Sequence, residues 1–228
     1  MDDFLAFCNK TAGRDKLYRV TQYGSKFLVW YLLRNGIKEN AVNMLIELEK
    51  LMSTSRKLFR FGKSVDSLRA AQRAINLQNY VLSLTLTTSH TNKAAYLLID
   101  HYIWMGKVGL VHADLKKWTE SANKFWLASL MMAFARDLYS LYINMQLSAR
   151  DAKRREESIS VQTYFSNFVK QNQQAIIDLL KNGFDIVIPA NSLGYTNFNN
   201  GVVGLCGVLS SLLAAVQIAK PSMKLTPN

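Results

Sequence analysis

The sequence predicts an all-α, membrane-associated helical bundle with a basic amphipathic helix at the interface and a transmembrane helix near its C-terminal end. Three observations carry that prediction. Proline and glycine are scarce, 3 and 11 in 228 residues, and each would cost a helix interior roughly 1 to 3 kcal/mol. The chain is 49% hydrophobic yet has a formal net charge of +12, so grease and positive charge must occupy different places. Gly201 to Ala219 are 19 consecutive uncharged residues, enough at ~1.5 Å each to cross a hydrocarbon core of roughly 30 Å.

Thr11 is the expected N-cap of the first long helix. Leu17, Val20, Phe27, Leu28 and Tyr31 give its apolar stripe, and Arg34-Asn35-Gly36 its stop. A second helix is expected from near Lys38, with Ala41, Leu45, Leu48, Leu51 and Met52 on one face. A third stretch runs from Ser55 to about Asn79, with a kink at Gly62. Val81 to Thr88 alternates Leu with Ser or Thr, which is a strand pattern. A lone strand among helices has nothing to pair with, so helix is expected there.

Ala94 to Val111 is apolar but interrupted by Asp100, His101 and Lys107, which makes it a possible second span only if those charges face protein. Asp100 and Lys107, two turns apart, share a helix face. Phe125 to Tyr142 continues the apolar pattern, and Arg150 to Glu157, with seven charges, is the expected boundary. Gln171 to Leu180 reads as a helix closed by Asn182-Gly183, and Pro189 with Asn191 to Asn200 as a loop. The chain thus divides into an N-terminal helical region (1–90) holding the amphipathic helix at about 55–80, apolar helices (91–150), a charged segment with helix and loop (151–200), the span (201–219) and a short tail (220–228).

Two constellations stand out. On a single helix Leu58, Phe61, Val65, Leu68 and Ile75 fall within an arc of about 100°. Arg60 and Lys63 lie opposite, Arg69 and Arg73 flank one side, and Lys57 flanks the other. With Arg56, these residues make a basic amphipathic helix suited to an anionic phospholipid surface. Its six cations contribute on the order of 5 kcal/mol at about 1 kcal/mol each. In the terminal span Gly207, Ser211, Ala215 and Ala219 recur every four residues, a small-residue stripe for close helix–helix packing.

Other chemistries find less support. The acidic start Met1-Asp2-Asp3 does not resemble a secretory leader, and the end shows neither a Ser-Lys-Leu address nor a prenylation box. Cys8 and Cys206 lie almost at opposite ends and form no disulfide framework. His90, His101 and His112 are 11 apart, ~16 Å on one helix, too far to share a metal. No phosphate loop or hydrolase motif occurs, so no enzyme, cofactor or metal is expected. The aromatic residues sit inside apolar runs instead of among exposed cations, which disfavours nucleic acid as a partner.

These residues also carry a family resemblance. Gly13-Arg14-Asp15-Lys16-Leu17 with Thr21-Gln22-Tyr23, Ser55 to Gly62, Asp100 to Gly109, Lys117-Trp118, Ser129 to Leu138 and the Leu-Gly turn before the glycine-rich span together resemble the peroxisomal membrane elongation family, peroxin eleven. The animal alpha/beta-type members are the most similar. The resemblance implies a helical integral protein of the peroxisomal membrane that elongates and proliferates peroxisomes before fission. The stretch from Arg56 to Ile75 would then insert in the cytosolic leaflet and bend it. It also implies self-association into homo-oligomers, cooperation with a fission adaptor and a dynamin-related GTPase, and both chain ends in the cytosol, hence an even number of spans. Residues 1–80 carry 14 cations against 7 acids and residues 112–200 carry 10 against 8, in keeping with a cytosolic N-terminal region. An alternative function within the resemblance is a channel for small metabolites, with Asp100, His101 and Lys107 lining a path.

Overall fold

A computed structural model describes residues 2–37, 39–154 and 161–225. Among them are the α-helices α1 (Asp2–Asn9), α2 (Thr11–Arg34), α3 (Glu39–Phe59), α4 (Lys63–Ile75), α5 (Tyr80–Lys107), α6 (Leu115–Arg154), α7 (Val161–Gln171), α8 (Gln173–Ser192) and α9 (Asn200–Ala219), with one 3-10 turn at Pro221–Met223 and no strand. The all-α expectation holds, and α9 is the one described helix long and apolar enough to cross a membrane by length and composition.

The alternating Val81–Thr88 stretch is helical, within α5. Thr85 Oγ1 donates to the Val81 carbonyl at 2.7 Å, Ser83 Oγ donates to the Ile75 carbonyl at 3.1 Å, and the Asn79 side chain caps the first turn by accepting from the Val81 and Leu82 amides. Two other expectations need correction. Asn182-Gly183 does not end a helix, because α8 runs on through Pro189 to Ser192. Asn182 is buried and donates to Asp137 at 2.6 Å, and Gly183 lies under the Phe134 ring, so these two residues serve packing. Pro189 falls in the last turn, where the helix is about to stop. The second correction is at Arg150–Glu157: α6 continues without a break to Arg154, and the rest of that block lies outside the described residues.

The helices form a closed ring. α2 packs on α3 and α9, α9 on α8, α8 on α6, α6 on α5, and α5 on α4 and α3. Consecutive long helices pair as three antiparallel hairpins, α2/α3, α5/α6 and α8/α9. In the first, Asp15 meets Arg56 and Lys26 meets Glu49. In the second, Tyr102 packs on Trp118, Tyr96 stacks on Trp126 and Asn79 reaches Tyr139. In the third, Gln217 donates to Asp178 at 2.8 Å.

Each hairpin turn is built alike. The Ile37, Leu110 and Tyr195 amides reach back to the Leu32, Met105 and Ala190 carbonyls at 3.1, 2.9 and 2.9 Å. The preceding glycines, Gly36, Gly109 and Gly194, take φ of 67°, 82° and 78°. This is the left-handed helix stop that satisfies the last carbonyls and turns the chain.

The interior is unusual in kind. Its apolar members are largely small, such as Ala71, Ala74, Ala94, Ala122 and Ala175, whereas Asp15, Arg19, Arg56, Asp100, Asp137 and Asp185 are all buried. Ions so placed must be paired to be tolerated, and they are. The ring is tied together from inside by charge.

Candidate membrane-contacting surface

The stretch expected as one amphipathic helix from Arg56 to Ile75 is two helices. Gly62 adopts φ 80°, ψ −15°, a left-handed conformation that costs any residue with a Cβ, and it separates α3 from α4 by an elbow. A single helical projection therefore does not apply across it.

The cations before the elbow turn inward. Arg56 Nε reaches Asp15 at 3.2 Å and its Nη1 donates to Gln22 at 2.6 Å. Lys57 pairs with Asp100. Arg60 Nη2 lies 2.7 Å from the same carboxylate, and its Nη1 donates to the Tyr96 hydroxyl at 2.7 Å. Arg56, Lys57 and Arg60 thus pin the elbow to α2 and α5 and present no row of charge to solvent. Carboxylate and hydroxyl partners distant in sequence outcompete water for them. Lys63 is partly buried, and burial, aided by nearby Arg60 and Arg56, lowers its pKa from the usual lysine value although Asp15 opposes this. Arg69 and Arg73 remain exposed on α4.

The apolar row behaves oppositely. Leu58, Phe61, Val65, Leu68 and Ile75 all stay between 46% and 67% exposed, while Ser64, Ser67, Ala71 and Ala74 make the buried side of α4. Small residues face the bundle and large apolar ones face out. That is the reverse of a helix settled in water. Phe61 is held at the elbow by the His101 ring, centroids 4.8 Å apart.

On α9 the close-packing face is shifted from the expected stripe. Gly207 and Ser211 are buried as expected, but Ala215 is half-buried and Ala219 exposed. A strict four-residue step drifts about 40° per repeat around a 3.6-residue helix, so the stripe winds off the interface. The actual face uses three- and four-residue steps: Gly201, Gly204, Gly207, Ser211, Ala214 and Gln217. A Cβ on Gly201, Gly204 or Gly207 would lie 2.4, 2.7 or 2.2 Å from atoms of Trp30, Phe27 or Tyr23. The aromatic residues of α2 are thus seated in glycine notches of α9. The readable signal was a glycine at every third position, Gly201-Gly204-Gly207, facing aromatic residues three and four apart, Tyr23-Phe27-Trp30.

Sequence reasoning also missed the acidic side of the ion pairs, since Asp15, Asp100 and Asp185 are isolated in the chain and meet their partners only in the fold. Asp100 and His101 are buried, whereas Lys107 is exposed at the end of α5, so the three do not line one buried path. Among the described residues, no cluster of His, Cys, Asp and Glu could hold a metal ion.

A helical ring with charges inside, large apolar side chains outside and, among the described residues, one helix long and apolar enough to cross a bilayer has the build of a helical membrane protein. Comparison with known proteins narrows this. Residues 1–219 match the family described as Peroxisomal biogenesis factor 11 (PEX11). The chain is 33% identical to Peroxisomal membrane protein 11A of Homo sapiens, covering 99% of each chain, and 29% identical to Peroxisomal membrane protein 11B of Homo sapiens over the full length of both. Peroxisomal membrane protein 11 homolog of Dictyostelium discoideum is 22% identical over 96% of this chain and 94% of its own. No solved structure matches significantly. The chain belongs to the peroxisomal biogenesis factor 11 family, and it is a peroxisomal membrane protein acting in peroxisome proliferation.

Proposed function

We propose that the protein elongates peroxisomes mechanically, without a catalytic step, by wedging α4 into one leaflet of an anionic phospholipid membrane. The observation that carries this is the row Val65, Leu68 and Ile75 of α4, with Leu58 and Phe61 just before it at the end of α3 and the elbow, all of which stay exposed after the bundle has satisfied its interior. Inserted at headgroup depth, the row expands one leaflet relative to the other. Arg69 and Arg73 lie beside it to meet anionic headgroups.

With Arg56, Lys57 and Arg60 consumed inside, the free charge on this segment contributes about 2 kcal/mol, at about 1 kcal/mol per cation, less than half of what the sequence offers. Burial of the apolar row then outweighs charge in holding α4 to the membrane. α9 anchors the chain, self-association into homo-oligomers concentrates the wedges until a tubule forms, and a fission adaptor with a dynamin-related GTPase acts on the narrowed membrane.

The test is tubulation of liposomes containing anionic lipid by the reconstituted full chain. The variant Val65→Glu/Leu68→Glu should remain membrane-resident after alkaline carbonate extraction yet form no tubules, and Arg69→Gln/Arg73→Gln should weaken tubulation without abolishing it. Undiminished tubulation by the double-Glu variant would remove α4 from the mechanism.

A further inference from the structure

Lys93 is the exception to the charge-paired interior. At 3.6 residues per turn it falls within about 40° of Leu86, Leu97 and Asp100 around the α5 axis, and all three are buried. Leu84 and Leu98 mark the outward side of the helix. Lys93 is nevertheless exposed, and among the described residues its ammonium has neither a hydrogen bond nor an ion pair. Around it the α5–α6 seam is filled, since Tyr96 stacks on Trp126 and Ser89 Oγ donates to the Ser129 carbonyl at 2.8 Å. An inward-facing lysine that solvent still reaches stands in an open cleft of the ring.

The walls of that cleft are cationic. Burial, then the like charges of Lys181 on α8, Lys63 at the start of α4 and Lys224 beyond α9, lower the Lys93 pKa from the usual lysine value, with Asp185 opposing. One turn earlier on α5, His90 is pushed down to about 4 by burial and by Lys93, Arg136, Arg73 and Lys224. The tail that carries Lys224 is tied in place, because Gln174 and Gln217 donate to the Ser222 and Met223 carbonyls at 2.6 and 3.4 Å. Nearby acids are already committed: Asp185 to Arg19, and Asp178 to Lys181 and Gln217. Lys63, Lys93 and Lys224 have no ion pair among the described residues. Cations gathered in a space walled by protein are unfavourable until an anion joins them.

We propose that this cleft is a binding site for a phosphate group, received between Lys93 on α5, Lys63 on α4, Lys181 on α8 and Lys224 on the tail. Several unpaired ammonium groups balance a doubly charged phosphate better than a singly charged carboxylate. Lysine also suits its tetrahedral oxygens, since an ammonium donates as a compact point charge with three rotatable protons. A metal cation is repelled by the same residues, and an apolar ligand leaves them unpaired. The phosphate comes either as a soluble ion or ester, or on a phosphomonoester lipid headgroup. The site lies apart from the outward apolar row of α4 and stands or falls independently of the wedge.

Inorganic phosphate is the first probe, titrated at constant ionic strength into the full chain in neutral detergent while the thermal midpoint is followed. The parent chain should gain stability saturably. Lys93→Gln should raise the half-saturating concentration about tenfold or more, while Lys93→Arg stays near the parent. Lys124→Gln, which removes an exposed lysine paired with Glu120, should match the parent. Without phosphate, Lys93→Gln should be at least as stable as the parent, because one of several like charges has gone; a loss of stability there would show an ammonium already satisfied and overturn the site. Lys224→Gln, on the exposed tail, should weaken the phosphate response while leaving the phosphate-free midpoint unchanged. Nanodiscs of phosphatidylcholine holding the full chain separate the two sources. Stabilisation by added phosphatidic acid, absent with phosphatidylserine and lost in Lys93→Gln, places the phosphate on a lipid; a response to inorganic phosphate alone makes the ligand soluble. No saturable response to either probe would overturn the proposal, as would a response that Lys93→Gln and Lys224→Gln both leave intact.

Discussion

Arg19 on α2 and Asp185 on α8 form a two-pronged ion pair across 166 residues of chain, with Nη1 to Oδ2 at 3.2 Å and Nη2 to Oδ1 at 2.5 Å. The guanidinium also lies over the Tyr23 and Trp126 rings, 5.5 and 6.0 Å from their centroids. One side chain thereby joins α2, α6 and α8 at the centre of the ring. A fork of this kind is both stronger and more directional than a lysine contact.

Removing one partner of that pair strands a buried charge. Asp185→Asn should lower folding stability by about 3 to 5 kcal/mol, read as a fall in thermal midpoint of the detergent-solubilised chain. Arg19→Met/Asp185→Leu, which removes both charges, should recover most of the loss. A double variant less stable than the single one would show that the pair is net stabilising in place.

Asp100 answers two cations at once, Lys57 and Arg60. Asp100→Asn should cost about 3 kcal/mol or more for the same reason and loosen the elbow, visible as faster proteolysis near Gly62. Glu47→Gln, which breaks the exposed pair with Lys50, should change stability by less than about 0.5 kcal/mol. Equal effects from the two substitutions would contradict the buried placement of Asp100.

The α2–α9 seam has little room. Gly207→Val places a Cβ about where the Tyr23 ring now sits, 2.2 Å away, and should destabilise the seam by at least about 2 kcal/mol. Gly24→Ala, on the same helix as Tyr23 but with no atom within 4 Å of its Cβ position, should be neutral to slightly stabilising. Thermal midpoints of the two variants, measured side by side, check the contrast.

The elbow depends on one backbone conformation. Gly62→Ala forces a Cβ into the left-handed region at φ 80° and should cost about 1 to 2 kcal/mol, whereas Gly62→Asn should cost less, since asparagine enters that region more readily. Equal stability of Gly62→Ala and the parent chain would mean that α3 and α4 straighten into one helix.

Much of the fold is legible along the chain. The stop at Gly36 follows from a helix end, a glycine and then an apolar residue, a local preference that needs no tertiary partner; Gly109 and Gly194 end α5 and α8 with the same pattern, although Gly109 reads as interior to the apolar stretch Ala94–Val111. The apolar row of α4 and the length of α9 are likewise properties of consecutive residues. Asn182-Gly183 misled because turn-like residues inside a helix are read correctly only when their neighbours are known, here Asp137 and Phe134.

What the sequence determined by itself was the class, helical and membrane-bound, the family, and the identity of the outward apolar rows, because hydrophobic spacing and helix stops act within a few residues. Only the tertiary structure decided which charges turn inward and which stay exposed. Arg56, Lys57 and Arg60 read as surface cations until Asp15 and Asp100, 41 and 43 residues from Arg56 and Lys57, close on them. The register of glycine notches against Tyr23, Phe27 and Trp30 was settled in the same way. Pairing across such separations depends on how the whole ring closes, and the energy that selects it is absent from any single segment.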